Sequence, residues 1–271
     1  MQDQQDIPVL ASSDATDSPL LSVQGVTVRF RGIVALDQVS FDVARGQIAG
    51  LIGPNGAGKT TLFNCLSRLY DYTDGAIRFD NQPLERLPRH RMATLGIGRT
   101  FQNLALFKTM TVLDNIKVGR HSRTRMGFLA NALRFPGVAA EEAQSESRAR
   151  ELVRFLDLQS VAHQRVADLP FGTQKRVELG RALASEPKLL LLDEPAAGLN
   201  HEEVASLGSL IRNVRDHLKT TILLVEHHMS LVMSVSDKVV ALNFGRKIAD
   251  GTPDEVRQHP DVITAYLGSA A

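Results

Sequence analysis

The sequence predicts an α/β fold built on a largely parallel sheet, and three observations carry that expectation. Short apolar runs of strand length alternate with segments of helical period along most of the chain. One such run, GQIAGLIG, passes through the glycine-rich loop GPNGAGKT into the helical run TLFNCLSRL. Another, LLLL at 189–192, ends in the acidic pair Asp193-Glu194.

Taken in order, residues 1–20 carry four aspartates and no cation, so they lack the basic start of a secretory signal and are expected to form a disordered tail. From Leu21, LSVQGVTVRF and then VSFDVARGQIAGLIG read as strands, with Gly46 at a turn between strands within the second run. After the glycine loop, Leu62, Leu66 and Leu69 recur at helical spacing. AIRFDNQPL reads as a strand and turn, and Gly96 to Phe101 leads into a less regular region. Between about Asn103 and Leu169 the helical signal dominates. There EEAQSESRARELVRFLDL is amphipathic, with Leu152, Phe155, Leu156 and Leu158 on one side. A helix after Gly172, the strand LLLLD, a helix near Glu202 to Leu218 and the strand TTILLVE restore the alternation. Near the end, Thr252 as cap, Pro253 at the first position and Glu255 three residues after the cap start a short helix. The stretch HSRTRMGFLANALRFPG and the arginine before it, with Arg120, Arg123, Arg125 and Arg134, form either a patch for partners or lipid headgroups or an ordinary solvated loop and helix.

Composition narrows the function. A chain of 271 residues can bury one large α/β core or a core plus a subdomain. The net charge of +1 argues against coating nucleic acid. Cys65 is the single cysteine, which leaves no disulfide framework and no cysteine metal cluster and fits a reducing cytoplasm. No apolar run reaches the roughly 18 residues of a spanning helix, so the membrane part of any membrane process would be another chain.

Gly53-Pro54-Asn55-Gly56-Ala57-Gly58-Lys59-Thr60 satisfies the P-loop pattern, with a strand before it and a helix after it. Glycines let the backbone wrap phosphates, and helix-terminal N–H groups with their dipole attract the anion. Lys59 then reaches the outer phosphates and Thr60 supplies a hydroxyl to Mg2+. The apolar strand ending in Asp193-Glu194 is the second half of such a site. Asp193 is expected to bind Mg2+ through its water shell, and Glu194 to orient or deprotonate the attacking water.

With those residues in place, the chain resembles the ATP-binding subunits of ABC transporters across nearly all of Leu21 to Gly268. The hallmarks GPNGAGKTT, RTFQN, LPFGTQKRVELGRAL, LLLLDEPAAGLN and LLVEHH occur in order. The resemblance implies a P-loop NTPase (RecA-like) core at about 21–102 and 169–250. It also implies an antiparallel β subdomain, an inserted α-helical subdomain at about 103–168 and C-terminal helices at 251–271. It implies that Gly53, Asn55, Gly56, Gly58, Lys59, Thr60 and Thr61 hold ATP. Phe30 matches the aromatic that stacks on adenine, the other reading being an ordinary strand residue. Gln102 matches the glutamine that touches Mg2+, and His227 rather than His228 matches the switch histidine at the γ-phosphate. Asn200 falls in the loop at the dimer interface. Gly172 belongs to the signature motif that caps the γ-phosphate on the opposite subunit. Where that motif usually reads serine, glycine, glycine, glutamine, this chain has Pro170, Phe171, Gly172 and Thr173, which removes a hydroxyl contact.

A narrower resemblance lies in RTFQNLALFKTMTVLDNIKVGRHSRT and GTPDEVRQHPDVITAYLG, which are similar to the ATPase subunits of branched-chain amino acid importers. The implied protein is a cytoplasmic ATPase, peripheral on the inner face of the membrane. It would dimerise with an identical or paralogous ATPase around ATP and Mg2+ and drive a membrane permease supplied by a soluble solute-binding protein. No nucleic-acid partner is implied. The rival within transport is the ATPase of a lipid or lipopolysaccharide exporter. The rival outside transport is a soluble ABC-type ATPase, which would need coiled-coil insertions, zinc cysteines or a basic arm.

Overall fold

The structure, a computed structural model, describes residues 18–100, 104–123 and 136–267. Most of the expected N-terminal tail lies outside the described residues, as do Gln102, Arg125 and Arg134.

The chain opens on an antiparallel pair, β1 (Leu21–Phe30) and β2 (Ile33–Val43), and then enters β3 (Ile48–Ile52). The glycine loop follows, and α1 (Lys59–Leu66) starts at its lysine. β4 (Asp74–Phe79) and β5 (Gln82–Pro83) return to the first pair, giving a four-stranded antiparallel sheet in the order β2-β1-β4-β5. The short α2 (Met92–Leu95) leads to β6 (Ile97–Arg99). The helices α3 (Val112–Gly119), α4 (Pro136–Phe155) and α5 (Phe171–Ala184) come next, before β7 (Leu189–Asp193). Alternation resumes with α6 (His201–Leu218), β8 (Thr221–Val225), α7 (Met229–Val235), β9 (Lys238–Asn243) and β10 (Arg246–Gly251). Two short helices, α8 (Pro253–Gln258) and α9 (Pro260–Leu267), end the described chain.

The second sheet is six-stranded, in the order β10-β9-β3-β8-β7-β6. It is parallel from β9 to β6, with β10 antiparallel at its edge. β3, β7 and β8 are buried at every position, as expected of parallel strands covered on both faces. Successive side chains point to opposite faces of a strand, so each of these strands feeds two cores. Leu190, Leu192, Ile222 and Leu224 join α3 to α7 on one face. Leu189, Leu191, Leu223 and Val225 join α1 and the antiparallel sheet on the other.

Two local expectations are corrected. α1 ends at Leu66, and Leu69 beyond it is exposed rather than part of a helical stripe. The region after Gly96 holds β6, paired with β7. Three residues, one of them Gly98, are too few to display an alternation. The two described arginines of the basic stretch make contacts within the chain. Arg120 is buried against Glu186 at 2.9 Å, and Arg123 donates to the carbonyls of Ser185 and Glu186 at the end of α5. The helix start at Thr252 carries the reciprocal capping box that its sequence announced.

Candidate functional site

β3 delivers the chain to the carboxyl edge of the parallel sheet, where crevices form in such folds. The turn there depends on glycine. Gly53 has φ 152, and a Cβ on it would sit 2.3 Å from the Leu242 carbonyl oxygen. Gly58 has φ 100, and its Cβ would meet the Ala35 carbonyl oxygen at 2.7 Å. The loop is thereby pressed against the turn of β9 and β10, where the Gly245 N–H donates to the Ala57 carbonyl.

The first N–H groups of α1 have neither a capping side chain nor an acid in the first turn. α6 and α8 differ, each being closed by a capping box, at Asn200 and Thr252. An uncapped helix start beside a glycine loop keeps its amides and its positive dipole end for an external anion. In front of it lies a cavity of about 430 Å3 that brings together Asn55, Gly56, Gly58, Lys59, Thr60 and Thr61 with Glu194 and His227. Its apolar wall is Ile33, Val34 and Phe244, a wall the sequence reading missed because these residues come from two distant hairpin turns. Phe30 is not in that wall. Its ring stands edge-on to Tyr70, 5.4 Å between centroids.

Lys59 is buried, and its ammonium donates to the carbonyls of Gly53 at 2.7 Å and Pro54 at 3.0 Å. Burial lowers its pKa below the ordinary lysine value, while the charges of Glu194 and Asp193 act in the opposite sense. Among the described residues the two acids at the end of β7 are treated differently. Asp193 is buried, its Oδ2 accepting from Arg99 at 2.8 Å and its N–H donating to the Thr100 hydroxyl. Glu194 sits at φ 48, a left-handed conformation that a side chain of this kind adopts at a cost of about 1–3 kcal/mol and that clusters at functional sites. The conformation turns its carboxylate into the cavity, where His227 Nε2 lies 2.6 Å from Oε1.

His227 is held by a residue the sequence reading passed over. Glu226, buried at the end of β8, accepts from the backbone N–H of His227 at 3.0 Å and of His228 at 3.3 Å. Its other oxygen accepts from the Ala196 N–H at 2.6 Å. The His228 ring meets this same carboxylate at 3.1 Å, outside the cavity lining. Glu226, Arg99 and Thr100 all lie inside quoted motifs. What the sequence did not carry is which buried partner each would meet.

Gly172 is elsewhere. It opens α5, another helix start with no side-chain cap and no acid in its first turn, and lines a separate hollow of about 380 Å3 against α6. The Phe171 ring rests over Gly198 of its own chain, with Lys175 above it at 5.5 Å, and Asn200 caps α6. Chemically, the first cavity offers an anion cradle, a cation and an acid–histidine pair, with Asp193 buried on the adjoining strand end. Those are the parts needed to bind a polyphosphate and direct water at it.

Comparison with known proteins agrees with this chemistry. Residues 36–197 match the ABC transporter family, and residues 246–271 match the family described as branched-chain amino acid ATP-binding cassette transporter. The high-affinity branched-chain amino acid transport ATP-binding protein BraF of Pseudomonas aeruginosa is 44% identical, over 93% of this chain and 99% of its own length. The corresponding LivG protein of Escherichia coli is 43% identical over the same shares. Among solved structures, the ADP conformation of an ATP-binding cassette of an ABC transporter matches with TM-score 0.80. It is 29% identical and covers 93% of this chain and 99% of that one. A nucleotide-free ATP-binding cassette from an ABC transporter matches with TM-score 0.79 at 28% identity, over 92% and 99%.

Proposed function

The chain belongs to the ABC transporter ATP-binding family, and from that premise we propose that it powers a membrane permease for branched-chain amino acids or closely related small solutes. It binds and hydrolyses ATP as its relatives do. The observation that carries the hydrolytic reading is the Glu194–His227 pair, 2.6 Å apart at the lip of the cavity that holds Lys59 and Thr60. The substrate class rests on 44% and 43% identity to two transport ATPases named for branched-chain amino acids.

In this reading the P-loop amides and Lys59 hold the β- and γ-phosphates, and the bonds that Lys59 makes to Gly53 and Pro54 park it in place. Glu194 accepts the proton of the attacking water, and His227 fixes that carboxylate and faces the γ-phosphate. Ile33, Val34 and Phe244 give the nucleoside an apolar wall beside Phe30. Gly172 at the start of α5 faces the γ-phosphate of a second ATPase subunit, identical or paralogous, so that two subunits make each complete site. Pro170, without a hydroxyl or an N–H, gives no contact where the usual serine would, and the amides of the first α5 turn do that work.

Mg2+ fits the residues present. The Thr60 hydroxyl and the Asp193 carboxylate are hard oxygen donors on the same edge of the sheet. Among the described residues no group of three or more histidines, cysteines or acids makes a metal cage. When bound, Mg2+ neutralises phosphate charge. The expected third contact, Gln102, lies outside the described residues.

No helix among the described residues is long and apolar enough to cross a membrane. In this reading the subunit is peripheral on the inner face and works on a separate permease. Co-purification of the native complex tests the reading. Membrane permease subunits, a second ATPase and a soluble binding protein that takes branched-chain amino acids are expected. A complex with a lipid-export permease and no binding protein would overturn the substrate assignment.

A further inference from the structure

The two residues read as magnesium-side groups sit on different elements, Thr60 at the start of α1 and Asp193 at the end of β7. A nearly buried arginine side chain hydrogen-bonds to both elements. Arg99, at the end of the edge strand β6, donates to the Asp193 carboxylate Oδ2 at 2.8 Å. The opposite side of the same guanidinium donates to Asn64 Oδ1 at 2.9 Å and Ser67 Oγ at 2.8 Å, and to the Phe63 carbonyl at 3.5 Å, on the last turn of α1. Its charge lies 5.8 Å from the centre of the Phe63 ring. Both members of the ion pair are nearly buried, with side chains 10% and 7% exposed. The adjacent Thr100, just past β6, takes the Asp193 N–H, so two consecutive residues hold both the backbone and the side chain of that acid.

We propose that Arg99 is a positioning residue for the magnesium site. It fixes the Asp193 carboxylate relative to α1, committing one oxygen to the guanidinium and leaving the other toward the ion's water shell. A lone buried carboxylate would rotate or lose its charge, and a surface arginine would be too mobile to hold it. A fork anchored on three acceptors of α1 is neither. Arg99 touches no nucleotide in this arrangement and acts only through Asp193. The proposal rests on the reading of Thr60 and Asp193 as the metal-side groups.

The test measures ATP affinity by calorimetry on the full chain, once with EDTA and once with Mg2+, for the parent, Arg99→Gln, Arg99→Lys and Asp193→Asn. A gain in affinity with Mg2+ in the parent that Asp193→Asn removes supports the underlying metal reading; its absence would overturn that reading, whatever Arg99 does. Given that gain, Arg99→Gln is expected to reduce it about tenfold or more, the usual effect of removing a partner behind a metal ligand. Affinity in EDTA should stay within about twofold of the parent, since the P-loop amides and Lys59 are untouched. Arg99→Lys, which keeps the charge, should restore part of the gain. A folded Arg99→Gln protein with the full Mg2+-linked gain would overturn the proposal. So would an equal loss with and without Mg2+, which would mark a general role in P-loop shape. If Arg99→Gln does not fold, Asn64→Ala/Ser67→Ala loosens the same tie from the α1 side while keeping the buried charge pair. It should also weaken the gain, and a full gain there would equally overturn the proposal.

Discussion

Replacing Glu226 by glutamine should uncouple the two loops that carry the hydrolytic pair. The Glu226 carboxylate divides its oxygens. Oε1 accepts from Ala196 at 2.6 Å on the loop after β7, and Oε2 accepts from His227 at 3.0 Å and His228 at 3.3 Å on the loop after β8. Glutamine has one carbonyl oxygen, so it can serve one loop while presenting an amide donor to the donors of the other. At least one hydrogen bond to a charged group is lost, worth about 1.5–3 kcal/mol, and a buried N–H is left facing another donor. For a chain of this size that corresponds to a fall in Tm of roughly 3–12 °C. His227 would no longer be held against Glu194, and a displacement on the order of 1 Å in a catalytic group can lower turnover by about 100-fold. ATP affinity rests on the P-loop and should be little changed. Steady-state ATPase kinetics and thermal unfolding check both effects. A Glu226→Gln protein with the parent's Tm and kcat would refute the bridging role.

Three further outcomes follow from the site. Glu194→Gln should lower hydrolysis by about two orders of magnitude or more while ATP still binds, as expected for loss of a general base; near-normal turnover would remove Glu194 from that role. Lys59→Met should abolish ATP affinity in a nucleotide-binding assay. It should also flatten the stability profile of the nucleotide-free protein at alkaline pH. Burial holds the folded pKa of Lys59 below 10.5, so between those two values the unfolded chain binds more protons and parent stability rises with pH, an increment the methionine variant lacks in urea denaturation. Gly172→Asp, in a hydrolysis-deficient background, should prevent ATP-dependent dimerisation measured by light scattering. Gly172→Ala is the needed control, because any Cβ there approaches Glu203 Oε1 to 2.5 Å and disturbs the cap at Asn200; equal assembly in both variants and the parent would make this turn a simple helix start.

Much of this protein was legible without coordinates, because its decisive features are local in sequence. The β3–loop–α1 unit follows from an apolar run, glycines at positions that demand positive φ, and a helical run, all within about 20 residues. The continuous apolar run Leu189–Leu192 announces a strand covered on both faces, and the acids after it fall at the carboxyl edge of the sheet for that reason alone. Thr252, Pro253 and Glu255 specify their own helix start. Tertiary structure decided what depends on meeting a distant partner. No spacing could show that Arg99 would reach across to Asp193 and α1, or that Glu226 would tie Ala196 to His227. Nor could it show that Phe244 and Ile33 would wall the cavity while Phe30 turned its edge to Tyr70. A backbone turn is governed by the residues that make it. A buried charge is governed by whichever groups the packed sheet brings within hydrogen-bond distance, and those arrive from strands far apart in the chain.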